Sequence, residues 1–151
     1  RTRKLFVPVT SMWNGTDAVH SAVQNLPIGW TTEDLHTYIA TGYFYVPSDF
    51  VSGMTIKAVV YGNGTGNVYS SNYAYQGANG EAYNAHTTGV AIAAVALTAS
   101  QYAEIQSIAM AAVAAGDHVG LSWERQAANA LDTIGAEVWV QGWIVEYTAD
   151  M

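Results

Sequence analysis

The chain has 151 residues; half of them are hydrophobic, 11% are charged, the net charge is −7 and there is no cysteine. This length predicts one domain that can bury roughly 70% of its unfolded surface, and the lack of cysteine excludes disulfides, thiolate metal sites and a cysteine nucleophile. The charged fraction is less than half of the roughly 25% usual for soluble domains, so small polar residues or contacts between subunits must cover much of the surface.

Basic residues are concentrated at the N-terminus, where residues 1–4 form a basic arm ahead of a single domain, residues 5–151. In that domain only Lys57 and Arg125 face twelve acids, which gives it a net charge of −10. It has no basic patch, so we do not expect it to bind nucleic acid. No apolar run approaches the roughly 20 residues of a membrane helix. The chain begins with Arg1 and shows no signal peptide, which predicts a processed product or a fragment.

The first half of the domain is predicted to form strands separated by turns. Residues 4–10 alternate in polarity, and their proline is tolerated best in an edge strand. Residues 11–30 show no clean period. Further strands are predicted at residues 35–46, 55–61, 68–76 and 90–97, with turns at residues 47–53 and 77–80.

A glycine-rich stretch, residues 62–67, joins two of these strands. Its Asn63-Gly64 dipeptide is a typical hairpin signal. A phosphate-binding loop would also carry spaced glycines, but here no helix follows to supply its N-terminus and no lysine follows the glycines. The stretch therefore predicts a hairpin and not a nucleotide site.

Residues 116–147 show the strongest strand pattern. After a Gly-Asp turn, apolar and polar residues alternate through residues 118–124, as expected for a half-buried strand. A polar stretch, residues 126–135, precedes a second run, residues 137–147, that is apolar on both faces in places. We predict that this second run is a central strand or a strand covered by a neighbouring subunit, and that the two strands close a sandwich.

This stretch resembles the C-terminal half of single jelly-roll domains. Such domains occur in phage and virus structural proteins, as fibre tips, head-decoration proteins and spikes, and more distantly in trimeric jelly rolls of the complement and tumour-necrosis-factor kind. The resemblance rests on Gly116, Asp117, Val119, Leu121, Arg125, Asp132, Thr133, Gly142 and Tyr147. Residues 44–49, Phe-x-Val-Pro-x-Asp, look like an early strand of the same domains. The resemblance implies an all-β fold, a jelly-roll β-sandwich of about eight strands, and a homotrimer.

Two interpretations stay open for residues 98–115. Thr98 and Gln101 form a capping box, apolar residues follow at helical spacing, and Gly116 suits a C-terminal cap, all of which favour a helix. In the jelly rolls that the chain resembles, a strand and a single helical turn occupy this place. We prefer the second interpretation, with at most one short helix near residues 99–115, because tertiary context overrides propensity.

No pattern for catalysis or cofactor binding is present. The histidines, at His20, His36, His86 and His118, show no metal-ligand spacing. No Gly-x-Ser-x-Gly elbow occurs, and acids such as Glu33 and Asp34 have no defined catalytic partner. We predict no enzymatic activity, no cofactor and no metal site.

Four residues around the second-last strand are assigned structural roles in turns: Gly116, Asp117, Arg125 and Asp132. Asp117 and Asp132 lie at opposite ends of one predicted strand, so they cannot share a calcium ion within a subunit. Turn hydrogen bonds, and an ion pair between Asp132 and Arg125 across the turn, are their expected roles.

Aromatic residues are the remaining candidates for binding. Flat rings with a polar handle can stack on sugars, and the candidates are Trp13, Trp30 and the tyrosines Tyr69, Tyr73, Tyr75 and Tyr83. Trp123, Trp139 and Trp143 are expected in the core or in a subunit interface, which also enriches tyrosine and tryptophan.

The resulting functional prediction is a viral or phage structural protein, found in the virion or outside cells. It would be a capsid decoration, spike or fibre component that assembles with itself, with other virion proteins, and through its polar loops with a host-surface glycan. The alternative is an extracellular carbohydrate-binding module that uses exposed tryptophan and tyrosine side chains.

Overall fold

The structure, a computed structural model, describes residues 1–14, 29–32 and 36–150. Within these residues the chain forms ten β-strands and no helix. The strands are β1 (Thr2–Pro8), β2 (Ser11–Asn14), β3 (Trp30–Thr32), β4 (Thr37–Tyr45), β5 (Phe50–Gly62), β6 (Gly66–Gly77), β7 (His86–Leu97), β8 (Gln101–Ala109), β9 (His118–Gln126) and β10 (Val138–Ala149). The predicted all-β class is confirmed, and the first predicted strand is the edge strand β1.

The strands form two antiparallel five-stranded sheets. Sheet 1 has the order β1-β10-β5-β8, with β3 also paired to β10, and sheet 2 has the order β2-β4-β9-β6-β7. Four of the pairings are nested along the chain: β6 pairs with β7, β5 with β8, β4 with β9, and β1 with β10. A single long hairpin folded over on itself gives this nesting, which is the topology of a jelly roll. The predicted jelly-roll sandwich is thus confirmed, with β2 and β3 as short additional strands.

The stretch with helical propensity is a strand. Ile105 and Ile108 of β8 lie opposite Ala58 and Ile56 of β5, and all four side chains are buried. Gln106, with φ of 53°, lies between the two isoleucines where the register shifts, so both can face the core. The preferred interpretation of a strand is therefore correct, whereas the helical turn expected after it is absent. Burial in a sheet has overridden local propensity here.

The hairpin predicted at Asn63-Gly64 is wrong. β5 belongs to sheet 1 and β6 to sheet 2, so the loop between them crosses from one sheet to the other. β9 and β10, the two strands expected to close the sandwich, also belong to different sheets: β9 to sheet 2 and β10 to sheet 1. β10 is central, between β1 and β5, which agrees with the first of the two alternatives given for residues 137–147.

The core lies between the two sheets and contains two tryptophans. Trp123 of β9 and Trp143 of β10 are both 0% exposed. Of the two alternatives for these residues, the core is the one observed, because neither offers any surface to another subunit. Trp139 of β10 is 5% exposed and contacts Tyr61 edge to face at a ring distance of 6.0 Å.

A chain of buried and partly buried hydrogen bonds joins the two sheets. Trp143 Nε1 donates to Asn72 Oδ1 at 2.9 Å, and Asn72 Nδ2 donates to the Gln106 carbonyl at 2.9 Å. Gln106 Nε2 then donates to the Ser70 carbonyl at 2.6 Å, while Ser70 Oγ donates to Gln106 Oε1 at 2.8 Å. Asn72 and Ser70 belong to sheet 2, and the other two residues to sheet 1. These bonds fix how the sheets are placed against each other, since each polar group is satisfied only in this arrangement.

The predicted pair of Arg125 and Asp132 is present and completely buried, with both side chains 0% exposed. Arg125 Nε and Nη2 donate to the two carboxylate oxygens of Asp132, each at 2.9 Å. Arg125 Nη1 donates to the carbonyls of Thr32 at 2.8 Å and Ala136 at 3.1 Å. The guanidinium therefore ties β9 to β3 and to the loop that follows β9.

Asp117 also has the structural role that was expected. Its Oδ2 accepts hydrogen bonds from Gln76 Nε2 at 2.7 Å and from the Ala114 amide at 2.9 Å. Gly116 precedes it with a φ of 85°, a conformation that glycine adopts without strain. Together they fix the turn that leads into β9.

The chain ends are held to the β4–β5 loop by Asp49. Its Oδ1 accepts a hydrogen bond from the Tyr147 hydroxyl at 3.0 Å, and its Oδ2 lies 3.1 Å from Arg3 Nε. Burial and the hydrogen bond to the Asp49 carboxylate raise the pKa of Tyr147 above its ordinary value. The hydroxyl therefore keeps its proton to a higher pH than that of an exposed tyrosine and remains a donor to Asp49.

Candidate ligand-binding groove

The outer face of sheet 2 has small residues in the middle and aromatic residues on both sides. β9 lies between β4 and β6, and the outward side chains of its first half are His118, Gly120 and Ser122. In register, Gly120 lies between Tyr43 of β4 and Tyr75 of β6. Because side chains at alternate positions of a strand share a face, small residues on β9 leave a trough along that strand.

This trough, which we call the β9 groove, has a volume of about 410 Å³. Its lining includes Thr41, Tyr75, Tyr83, His118, Gly120 and Ser122. At Gly120 the floor is open, since the nearest atom to a Cβ placed there would be the Tyr75 carbonyl oxygen at 4.0 Å. The volume falls within the roughly 300–1,000 Å³ typical of ligand pockets.

A row of tyrosine rings, the tyrosine wall, runs along one side of the β9 groove, and two of them, Tyr75 and Tyr83, line it. Tyr73 and Tyr75 are stacked with ring centroids 6.5 Å apart, and Tyr75 and Tyr83 are 6.0 Å apart. The Tyr73 ring lies directly over Gly89 of β7, where a Cβ would come within 2.1 Å of Tyr73 Cδ1. Only glycine at residue 89 allows this ring position, so the wall is fixed by packing.

Three of the four predicted binding tyrosines are therefore brought together, and Tyr69 is not. Tyr69 lies on the same strand as Tyr73 and Tyr75, but four residues from Tyr73, a distance of about 13 Å along the strand. Its backbone amide donates to Asp132 Oδ2 at 3.0 Å, next to the buried ion pair.

Two further exposed tyrosines, Tyr43 and Tyr45 of β4, lie across β9 from these rings, beside the groove lining, and were not predicted as binding residues. Tyr43 and Tyr45 of β4 are 70% and 62% exposed, and the Tyr45 ring lies 4.4 Å from the His118 ring. The signal was the alternation of β4, where the buried Phe44 between them places both tyrosines on the outer face. His118 shows no metal-ligand spacing in the sequence and was not among the predicted binding residues.

Trp13 and Trp30, the other aromatic candidates, lie away from the β9 groove. Trp13 is 55% exposed on β2, the edge strand of sheet 2, where it pairs with Ile39. Trp30 belongs to sheet 1, where it pairs with Val140 of β10 and packs against the core. Neither contributes to the lining of the groove.

The β9 groove carries no positive charge from lysine or arginine. Among the five basic residues, Arg3 pairs with Asp49 of the β4–β5 loop and Lys4 with Glu146 of sheet 1. Arg125 is buried, and Lys57 points outward from β5 of sheet 1. The fifth, Arg1, directly precedes β1 of sheet 1, and its carbonyl accepts a hydrogen bond from the Ala149 amide. Acids do lie on the groove side: Glu81 follows β6, and Glu124 lies on β9.

No group of three histidine, aspartate or glutamate side chains in residues 1–14, 29–32 and 36–150 is placed to hold a metal ion. His36, His86 and His118 are on different strands or loops. His20, Glu33 and Asp34 lie outside the described residues. The described part of the chain also contains no helix that is long and apolar enough to cross a membrane.

No protein-family model and no curated protein matches the chain. Three solved structures are similar in architecture. The enzymatically active domain of tailspike protein 4 from bacteriophage CBA120 shares 7% identity and a TM-score of 0.42 over 97% of this chain, which spans 18% of the tailspike chain. The carbohydrate-binding module TmCBM61, solved with β-1,4-galactotriose, shares 10% identity and a TM-score of 0.44 over 93% of this chain and 88% of its own. A structure of infectious bursal disease virus, Gx strain, shares 12% identity and a TM-score of 0.33 over 99% of this chain and 43% of its own. At these values the likeness is one of β-sandwich architecture alone.

Proposed function

We propose that this domain is a non-catalytic carbohydrate-binding domain that holds its ligand in the β9 groove. The supporting observation is the trough itself: a floor of Gly120 and Ser122 between tyrosines on β4 and β6. Tyrosine rings offer apolar area to the C–H faces of a sugar, and their hydroxyls offer hydrogen bonds to its edge. The Ser122 and Thr41 hydroxyls and the His118 imidazole add polar groups at the base.

The exposure of these rings is the second reason for the proposal. Tyr43, Tyr45 and Tyr83 are all more than 60% exposed, although a soluble surface usually hides rings of this size. They are grouped on one face, with donors and acceptors between them. This mixture suits a ligand that is itself apolar on one face and polar at its edges, as a pyranose ring is.

Replacement of Tyr75 by alanine is expected to weaken glycan binding about tenfold or more, which corresponds to about 1.4 kcal/mol. The substitution removes the ring at the centre of the tyrosine wall, which contacts Tyr73 and Tyr83. A glycan array identifies ligands, and isothermal titration with monovalent glycans measures the affinity. Gly120→Phe, which fills the open floor, is expected to abolish binding.

The matched control is Tyr102→Ala, because Tyr102 is 54% exposed on sheet 1, away from the groove. It is expected to leave the affinity unchanged. Circular dichroism would show that all three variants remain folded. If the parent protein binds no glycan, or if Gly120→Phe binds as tightly as the parent, the proposal is wrong.

A second candidate function, compatible with the first, is that of an oligomeric virion or phage structural subunit, such as a capsid decoration, spike or fibre component. The observation that favours it lies on the outer face of sheet 1, where Phe6 is 45% and Tyr102 54% exposed. Val59 and Ile144 line a depression of about 400 Å³ beside Tyr102. Exposed apolar side chains on a chain with so few charges suit burial between copies, and we propose a homotrimer.

Light scattering at several dilutions is expected to give a stable mass of three chains. The double variant Phe6→Lys/Tyr102→Glu places charges on the sheet 1 face and is expected to give single chains, because charges are disfavoured in interface cores. Tyr43→Glu, a charge on the opposite face, is expected to leave the trimer intact. A single-chain mass for the parent protein at all concentrations would rule out this second candidate.

A further inference from the structure

The β9 groove does not end at His118. A second depression, of about 310 Å³, lies on the far side of His118 and Tyr83 and is lined by the loop that follows β6, residues 77–81. His118 and Tyr83 line both spaces. The two depressions are therefore adjacent parts of one surface, divided by this pair of side chains, and a ligand longer than one sugar can occupy both.

The loop that forms the second depression is held in place by its own hydrogen bonds. The Glu81 amide donates to the Ala78 carbonyl at 3.0 Å, and the Ala78 amide donates to Glu81 Oε2 at 3.0 Å. At Gly77 a Cβ would lie 2.3 Å from the Ala82 carbonyl oxygen, so the loop packs back against its own start. A depression with such walls exists before any ligand arrives, which lowers the entropic cost of binding.

The charges around both depressions have one sign. Glu81 lines the second depression, and its carboxylate lies 4.0 Å from His86 Nε2. All five lysine and arginine side chains are elsewhere, in the N-terminal strand, on sheet 1 or buried with Asp132. A carboxylate accepts hydrogen bonds from sugar hydroxyls but repels a carboxylated or sulfated sugar, and no lysine or arginine side chain is placed to offset the repulsion.

We propose that the β9 groove and the adjoining depression together bind an uncharged oligosaccharide of at least two sugar units and discriminate against its acidic forms. This inference rests on the proposed carbohydrate-binding function. The tyrosine wall stacks on one unit, and the loop beside Asn79 and Glu81 binds the next through hydrogen bonds. Selectivity against acidic glycans comes from Glu81 and from the lack of basic side chains.

The test uses the full chain on an array of neutral oligosaccharides of one to six hexose units, printed beside the sialylated, sulfated and uronic-acid-containing forms of the same chains. We expect signals from neutral chains that rise from one unit to three. Titration of the strongest neutral ligand and its acidic form should give affinities that differ roughly tenfold or more in favour of the neutral form.

Two variants test the assigned residues. Asn79→Ala is expected to reduce the gain in affinity between the one-unit and three-unit chains. Glu81→Gln keeps an oxygen that can accept from the Ala78 amide but removes the charge, so it should narrow the difference between neutral and acidic forms. Glu104→Gln, the same change on the exposed face of sheet 1, is the matched control and should leave that difference unchanged.

The outcomes separate this inference from the function on which it rests. If no glycan of either charge class binds, both are overturned. If glycans bind in the groove but acidic forms bind as tightly as neutral ones, or single sugars bind as tightly as longer chains, only the present inference is overturned. If Glu81→Gln left the ratio of the affinities for neutral and acidic glycans unchanged, Glu81 would not be the source of the selectivity. That result would also overturn the present inference.

Discussion

Replacement of Asp132 by alanine is expected to lower the free energy of unfolding by about 3–5 kcal/mol, because it leaves the buried guanidinium of Arg125 without its counterion. The side chains of both residues are 0% exposed, so water cannot take the place of the lost carboxylate. The Tyr69 amide loses its acceptor as well. Since domains are stabilised by about 5–15 kcal/mol in total, the variant should unfold at a much lower denaturant concentration. Urea denaturation followed by tryptophan fluorescence measures the change.

Two companion variants give this prediction its controls. Glu137→Ala removes an acid from the same loop region, but one whose contact with Asn63 is exposed, and should change stability by less than about 0.5 kcal/mol. Arg125→Met/Asp132→Leu replaces both charges by apolar groups and should be more stable than Asp132→Ala alone, since no unpaired charge remains. A loss below about 1 kcal/mol for Asp132→Ala would contradict the expected cost of an unpaired buried charge.

Replacement of Asn72 by leucine is expected to destabilise the domain by about 1–3 kcal/mol for each partner left unsatisfied. The substitution removes the acceptor of Trp143 Nε1 and the donor to the Gln106 carbonyl. Asn72 and Trp143 are both 0% exposed, so Trp143 Nε1 cannot turn to bulk water. Guanidinium denaturation would report the loss, and we expect the slope of the transition to stay that of the parent protein.

A double-mutant cycle isolates the bond itself. Trp143→Phe removes the indole N–H but keeps an aromatic ring in the core. The double variant Asn72→Leu/Trp143→Phe lacks both the indole N–H and its acceptor, so this hydrogen bond leaves no unsatisfied polar group behind. The double variant should therefore be more stable than the sum of the single losses predicts, by about 0.5–3 kcal/mol. Strict additivity would mean that this hydrogen bond does not couple the two sheets.

The features that could be predicted from the sequence are those that depend on alternation within one strand or on residues that are close together in the chain. The half-buried pattern of residues 118–124 located β9, and the spacing of Arg125 and Asp132 around one turn predicted their pair. The all-β class and the jelly-roll topology followed from the resemblance. Two of the predicted binding tyrosines, Tyr75 and Tyr83, line the groove, as expected for aromatic side chains in a chain with few charges.

What the sequence did not reveal depends on which strands become neighbours. Asn63-Gly64 makes a turn, but whether the next strand pairs with the previous one or enters the opposite sheet is decided by partners far along the chain. Tyr43 and Tyr45 lie beside the groove only because β4 pairs with β9, more than 70 residues later. The Gln106 side chain turns inward because its backbone has a positive φ, which no pattern in the sequence predicted.

The nested pairing of the strands has a consequence for how the domain is made. β10 pairs with β1, β3 and β5, and its pairing with β1 joins residues as distant as Thr2 and Thr148. Closing so long a loop costs more entropy than closing the β6–β7 hairpin, so the inner pairs are expected to form first. On the ribosome, sheet 1 lacks its central strand until β10 has emerged. The apolar inner faces of the sheets therefore stay exposed until β10 has been synthesised. The sandwich is expected to fold only after translation of that strand.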